Sequence, residues 1–351
     1  MNIDQHILGF SPAGEAVILY EMTNGSGARI RVINTGAALV SVEVPDKTGK
    51  LLDVVLGYQM FDTYINDSAS MGKSIGRYAN RIAKGKFSLN GETYQLAVNN
   101  GVNHLHGGPS GFQSKIWTSR VETDRVVFSY ISPNGEEGYP GELGVEAVYD
   151  WSDDNELEIS YYAKGDSDTI VNLTNHAYFN LNGDGNGDIL SHSLLLNASH
   201  YLPCDNTQIP TGTIAPVQNT PMDFTSAKTV GKDINADFEQ LKIGNGYDHC
   251  WTIDGWEKGK ICPVGELQGD RSGIVMSILS SQPGVQIYTG NSLQGNGPSK
   301  TGKIYENRDG IAIECQNFPD SPNKKNFPSP VLMKDEIYEE HIIYKFSVQK
   351  D

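Results

Sequence analysis

Along most of the chain, apolar and polar residues alternate in short runs closed by glycine, proline, asparagine or aspartate. "ARIRVI" from Ala28, "ALVSVEVPD" from Ala38, "RVVFSYI" from Arg125, "ELEISYYAK" from Glu156 and "GVQIYTG" from Gly284 are examples. Successive side chains of a strand point to opposite sides of its sheet, so each run predicts a strand with one buried face. "KFSLNGETYQL" carries Asn90-Gly91 between two such runs and predicts a tight hairpin. "YDWSDDNELEIS" predicts strand, turn, strand. One stretch, "PVLMKDEIYEEHII" from Pro330, has a charged amphipathic helical pattern, and its β-branched end leaves helix and strand both open. Many short strands with few helices predict an all-β chain, a large antiparallel β-sandwich or barrel. No fixed-period repeat, linker or composition shift divides the chain, so residues 1–351 read as a single domain.

"VNLTNHAYFNL", Val171 to Leu181, breaks the ordinary pattern. Val171, Leu173, Ala177, Phe179 and Leu181 fall on one face of a strand, interrupted only by Asn175. The other face carries Asn172, Thr174, His176, Tyr178 and Asn180, a row of neutral hydrogen-bonding groups around one histidine. That row predicts the floor of a binding cleft.

Composition narrows the class. Hydrophobic residues make up 38% of the 351, enough for a real core. A net charge of −16 argues against nucleic acid or an anionic membrane surface as partner, since both require basic patches. No run is long and apolar enough to cross a membrane. The first residues show neither a basic segment nor an apolar core of a signal peptide, which makes the cytoplasm the expected location. Four cysteines without CxxC spacing read as ordinary thiols in a reducing compartment. The "NGDGNGD" turn has Ile189 and Leu195 where a calcium loop needs glycine and glutamate, so it reads as a turn.

Five clusters place polar groups where strand and turn logic do not require them. "GRYANRIAKG" offers Arg77, Asn80 and Arg81, a fork suited to vicinal hydroxyls or a carboxylate, or alternatively plain surface arginines. "NHLHGG" puts His104 and His106 at strand spacing, with glycines that would let backbone approach a ligand. A hydrolytic metal site would need a further partner motif, and none follows. His176 is the third cluster. Asp248, His249 and Trp251 in "NGYDHCW" form the fourth. In "GIAIECQNF", Glu314 sits mid-strand with Ala312 and Gln316 on its face, and a carboxylate there is costly unless it is paired or used. No G-x-S-x-G, P-loop or dinucleotide fingerprint is present. The set suits acid–base chemistry on a neutral, hydroxyl-rich molecule such as a sugar, with Tyr178, Trp251 or Phe318 for its C–H face.

Six blocks, in order from about residue 30 to 345, closely resemble the aldose 1-epimerase (galactose mutarotase) family. They are "GRYANRIAKGKFSLNGETYQL", "NHLHGGPSGFQSKIW", "NLTNHAYFNL", "YDHCW", "QPGVQIYTGN" and "GIAIECQNFPDSPNKKNFPSPVL". The resemblance implies the supersandwich fold and cofactor-free, metal-free interconversion of α- and β-hexoses such as galactose and glucose. It further implies Glu314 as general base and His176 as general acid. Asn80, Arg81, His106, Asp248 and Gln286 become substrate contacts, while Arg77 and His104 become structural. The expected partner is a small sugar, on a monomer or homodimer. A hexose-6-phosphate epimerase relative, a non-catalytic carbohydrate-binding protein and a glycoside hydrolase using Glu314 with Asp248 are the rival readings. A phosphate-directed site should add basic residues.

Overall fold

The computed structural model describes residues 1–349. Its strands form three large antiparallel sheets and several two-stranded pairings. Five strands at the N-terminal end, Asn2–Phe10 to Leu51–Asp53, meander in chain order. The largest sheet has nine strands and runs from Thr118–Glu122 through Leu143–Trp151, Glu156–Gly165 and Ile337–Val348 to Ile274–Ser280 and beyond. A six-stranded sheet orders Tyr178–Phe179, Ile311–Gln316, Gly284–Tyr288, Asp248–Thr252, His200–Tyr201 and Ala215–Pro216. The two α-helices among the described residues, Phe61–Ile65 and Glu239–Gly244, are a turn or so long.

The alternation explains the packing. Val145, Ala147 and Tyr149 from one strand of the nine-stranded sheet, with Leu157, Ile159 and Tyr161 from its neighbour, share one buried cluster with Val285, Ile287, Ile311 and Ile313 of the six-stranded sheet. The Phe179 and Tyr344 rings meet across the layers at 5.0 Å, and the Tyr344 hydroxyl donates to the Ile313 carbonyl at 3.0 Å. Burying such side chains contributes about 1.5–3 kcal/mol each, so this inter-sheet face holds the six-stranded sheet rigid behind the site.

Local expectations fare unevenly. Asn90 and Gly91 both adopt left-handed φ angles, 53° and 83°, and close a hairpin in which Leu89 faces Glu92. Trp151 faces Leu157 across the second predicted turn. The ambiguous C-terminal stretch is strand: Val331–Leu332, a turn, then Ile337–Val348. That strand is central in the nine-stranded sheet, paired on both edges, and Ile342, Tyr344 and Phe346 enter the core. Ladder bonds and core packing on both sides override its helical charge pattern.

Val171 to Leu181 is not one strand. Within it Asn172 bridges Tyr78, Thr174–Asn175 pairs with Ser74–Ile75, and Tyr178–Phe179 pairs with Ile311 and Ala312. The apolar half of the expectation holds, since Val171, Leu173, Ala177, Phe179 and Leu181 all lie in the main core. The polar half is corrected. Asn172 donates to the Ala79 and Asn317 carbonyls, Thr174 to the Cys315 carbonyl, and Asn180 to the Gly187 and Asp309 carbonyls. These residues satisfy backbone groups that an irregular crossing segment leaves unpaired. Only His176 and Tyr178 of the row reach a cavity.

Candidate active site

A cavity of about 420 Å³ opens beside the six-stranded sheet. Glu314 stands on its wall in the middle of Ile311–Gln316, every residue of which is buried. Ile311, Ile313 and Cys315 point into the core, which turns Ala312, Glu314 and Gln316 the other way. Glu314 is 2% exposed, and its Oε2 has no hydrogen-bond partner among the described residues. Burial pushes its carboxyl well above the usual range, Asp248 adds to the effect, and Arg81 opposes it.

His176 faces it, with Nε2 3.6 Å from Glu314 Oε1. Its backbone is clasped from both sides: its N–H donates to the Lys73 carbonyl at 2.8 Å, and its carbonyl accepts from Gly72 at 3.0 Å. The ring lies between those of His106 and Tyr178, at centroid distances of 5.4 and 4.9 Å. Burial pushes its pKa down to about 4, against a weaker pull from its own carbonyl, Asp67 and Asp248. The resting imidazole is therefore neutral, in place of the imidazolium a general acid first suggests. Taken together, the pair holds one titrating proton from about pH 4 up to the raised carboxyl value.

Asn80 and His106 pin each other. Both hold left-handed φ angles, 62° and 52°, which few non-glycine residues adopt. The Asn80 N–H donates to His106 Nδ1 at 3.1 Å, and the His106 N–H donates to the Asn80 carbonyl at 3.0 Å. The Asn80 side chain caps the Arg81 N–H at 2.8 Å. The turn at His106 also separates the two histidines expected on one face. His104 points away and bonds the Tyr139 hydroxyl and the Ala97 carbonyl. The glycines that follow serve backbone packing: a Cβ on Gly107, at φ +74°, would lie 1.8 Å from the Gly76 carbonyl oxygen. Arg77 is buried and spent on Ser132, Pro133 and Pro140.

Arg81 donates through Nε to Asn100 at 3.0 Å and through Nη2 to Gln208 Oε1 at 2.6 Å. Gln208 Nε2 donates to Asp248 Oδ2 and Gln286 Nε2 to Asp248 Oδ1, both at 2.7 Å. Six of the seven expected site residues, Asn80, Arg81, His106, His176, Asp248 and Glu314, line the cavity. Gln286 sits behind Asp248 and opposite Glu314 in the strand register. Of the expected aromatics Tyr178 lines the cavity, whereas Trp251 is in the main core and Phe318 packs on Phe327. Tyr288 lines the cavity in their place; it follows Gln286 by two residues and shares its face, a signal the alternation carried. Gln208 and Asn100 come from loops and left no pattern to read.

The ligand atoms of His106, His176 and Glu314 lie within 4.8 Å of one another, a spacing a metal could use. The donor chemistry does not fit. His106 Nδ1 already accepts the Asn80 N–H, which leaves the proton on Nε2. Ligation through Nε2 would move that proton to Nδ1, against another N–H.

The sequence model of the aldose 1-epimerase family matches residues 19–345. A galactose mutarotase of Sus scrofa is 39% identical over 348 residues, covering 99% of each chain. An aldose 1-epimerase of Escherichia coli strain K12 is 36% identical over 339 residues, covering 96% of this chain and 97% of that one. A solved aldose epimerase homologue from C. elegans superposes with a TM-score of 0.86 at 33% identity, over 94% of this chain and 98% of that one.

Proposed function

The chain belongs to the aldose 1-epimerase family, and from that premise we propose that it interconverts aldose anomers with Glu314 and His176 as its acid–base pair. As an isomerase it carries an aldose between its α and β forms. The observation that carries the site reading is the 3.6 Å approach of His176 Nε2 to Glu314 Oε1 on the wall of a cavity whose other polar lining is amides, hydroxyls, His106, Asp248 and one arginine.

The reaction needs one proton taken from the anomeric hydroxyl and one given to the ring oxygen. Glu314 Oε2, without a hydrogen-bond partner among the described residues, accepts the hydroxyl proton. Sugar hydroxyls brought against this carboxylate stabilise its ionised form and offset the burial that raises its pKa. The proton of the pair then resides on His176, which passes it to the ring oxygen. The C1–O5 bond opens, C1 rotates, and the transfers run in reverse on the other face. A positioned acid or base contributes about 10²–10⁴-fold. Asn80, Arg81, His106 and Asp248 hold the remaining hydroxyls, Gln286 fixes Asp248, and Tyr178 with Tyr288 meets the apolar face.

Among the described residues Arg81 is the one lysine or arginine on the cavity wall, and Asn100 and Gln208 already take its Nε and Nη2. This favours a neutral hexose over its phosphate. Polarimetry of freshly dissolved α-D-galactose, α-D-glucose and glucose 6-phosphate tests the reading. It predicts faster relaxation to equilibrium for a neutral sugar. Acceleration of the phosphate alone, or sugar binding without acceleration, would refute it.

A further inference from the structure

We propose that Gln208 is a positioning residue for substrate binding, holding the Arg81 guanidinium and the Asp248 carboxylate apart so that both face the sugar. The inference rests on the epimerase reading above.

The amide of Gln208 is used at both ends. Its oxygen takes the Arg81 Nη2 proton at 2.6 Å, and its nitrogen donates to Asp248 Oδ2 at 2.7 Å. A cation and an anion on one wall attract strongly at reduced dielectric and, left alone, satisfy each other. A neutral donor–acceptor between them removes that option and orients each. Arg81 is then held by Asn100 and Gln208, and its Nη1 makes no hydrogen bond among the described residues. Asp248 is held through one bond on each oxygen, which leaves further acceptor capacity for hydroxyls.

The loop bearing Gln208 is built to aim it. Asp205 Oδ1 accepts from the Thr207 N–H, the Thr207 hydroxyl and the Ile209 N–H. Gln240 clasps Cys204 through both its N–H and its carbonyl, and Asn103 donates to the Thr207 carbonyl. Gln208 itself takes a left-handed φ of 61°, a conformation that costs a non-glycine residue energy unless its surroundings impose it. None of these bonds uses the Gln208 side chain, so the loop's fold does not depend on it.

The test is steady-state mutarotation kinetics of wild type, Gln208→Leu and Gln208→Glu on galactose, with melting temperatures to confirm folding. Gln208→Leu lets Arg81 and Asp248 collapse on each other, and KM should rise at least about 10-fold with kcat within about threefold. Gln208→Glu keeps the shape but sets a second carboxylate against Asp248. Its KM defect should shrink as pH falls and the introduced carboxyl regains a proton to donate, a recovery a merely structural role would not produce. Wild-type KM in both variants, a loss in kcat alone, or a Gln208→Glu defect independent of pH would overturn the proposal. Wild-type protein that accelerates no aldose would overturn the epimerase reading itself, and this inference with it.

Discussion

Five of the eight histidines, His104, His106, His176, His192 and His249, are held neutral inside the fold, and this makes acid the sharpest probe of the structure. Burial is the main cause each time. It pushes four of them to about 4 and His106 well below its ordinary value. A lowered folded pKa leaves the stability intact above about pH 6.5, where the unfolded chain is also neutral, and removes it as pH falls and only the unfolded chain binds the proton. Near pH 5.5 the unfolded state therefore carries about five additional protons. Carboxyls raised by burial act in the opposite sense: the folded state keeps a proton on Glu314 and on Glu340, the latter pushed up to about 7, and burial raises Asp150, Asp184 and Asp309 as well. His341, raised by its bond to Glu158, is charged in both states over this range. Setting Glu314 and Glu340 against the five histidines leaves about three protons, a number the raised aspartates reduce further, and each proton is worth about 1.4 kcal/mol per pH unit. Stability should fall by up to roughly 4 kcal/mol between pH 6 and pH 5, a large share of the about 5–15 kcal/mol typical of a folded protein. Urea denaturation midpoints measured at intervals from pH 8 to pH 5 read this directly. His176→Asn should reduce the slope by about one proton. A midpoint that stays level from pH 7 to pH 5, or a slope that His176→Asn leaves unchanged, would refute the reasoning.

Other expectations follow from the same groups. In the pH range where the protein stays folded, kcat/KM should hold a plateau on the acid side, with its limb near pH 4, and fall only above the raised carboxyl value of Glu314. A profile falling below pH 6.5 without unfolding would contradict the neutral imidazole. Glu314→Gln removes a carboxyl whose folded pKa is raised, so its stabilising effect should grow as pH rises; thermal melts showing no gain over wild type at pH 8 would contradict the burial cost. Dialysis against EDTA should leave mutarotation unchanged, because His106 spends its Nδ1 on Asn80; loss of activity restored by a divalent ion would overturn that reading. Tyr288→Ala should raise KM while Tyr288→Phe retains it, and equal effects of the two would assign Tyr288 a hydrogen-bonding role instead.

How much of this was legible in the sequence depended on the kind of signal. The alternation around Glu314 needed nothing beyond neighbours two residues apart, so both faces of Ile311–Gln316 emerged as expected. Around His176 the same period gave the core face and misjudged the polar one. Asn172, Thr174 and Asn180 answer carbonyls that chain crossings bring near, at Asn317, Cys315 and Asp309, and those crossings are tertiary facts. The His104–His106 pairing failed for a local reason, since a left-handed residue breaks the period on which it relied. Gln208 was invisible because its partners lie 127 and 40 residues away in sequence and its own segment is a loop.

The central claim is that Glu314 and His176 move the two protons, and mutarotation of freshly dissolved α-D-galactose tests it most directly. Wild type, Glu314→Gln and His176→Asn should be compared at equal concentration at pH 7.5, each shown to be folded by its melting transition. The account predicts that wild type speeds the approach to equilibrium and that each variant loses at least about 10²-fold, the least a positioned acid or base contributes. A folded Glu314→Gln or His176→Asn protein turning over at the wild-type rate would contradict it.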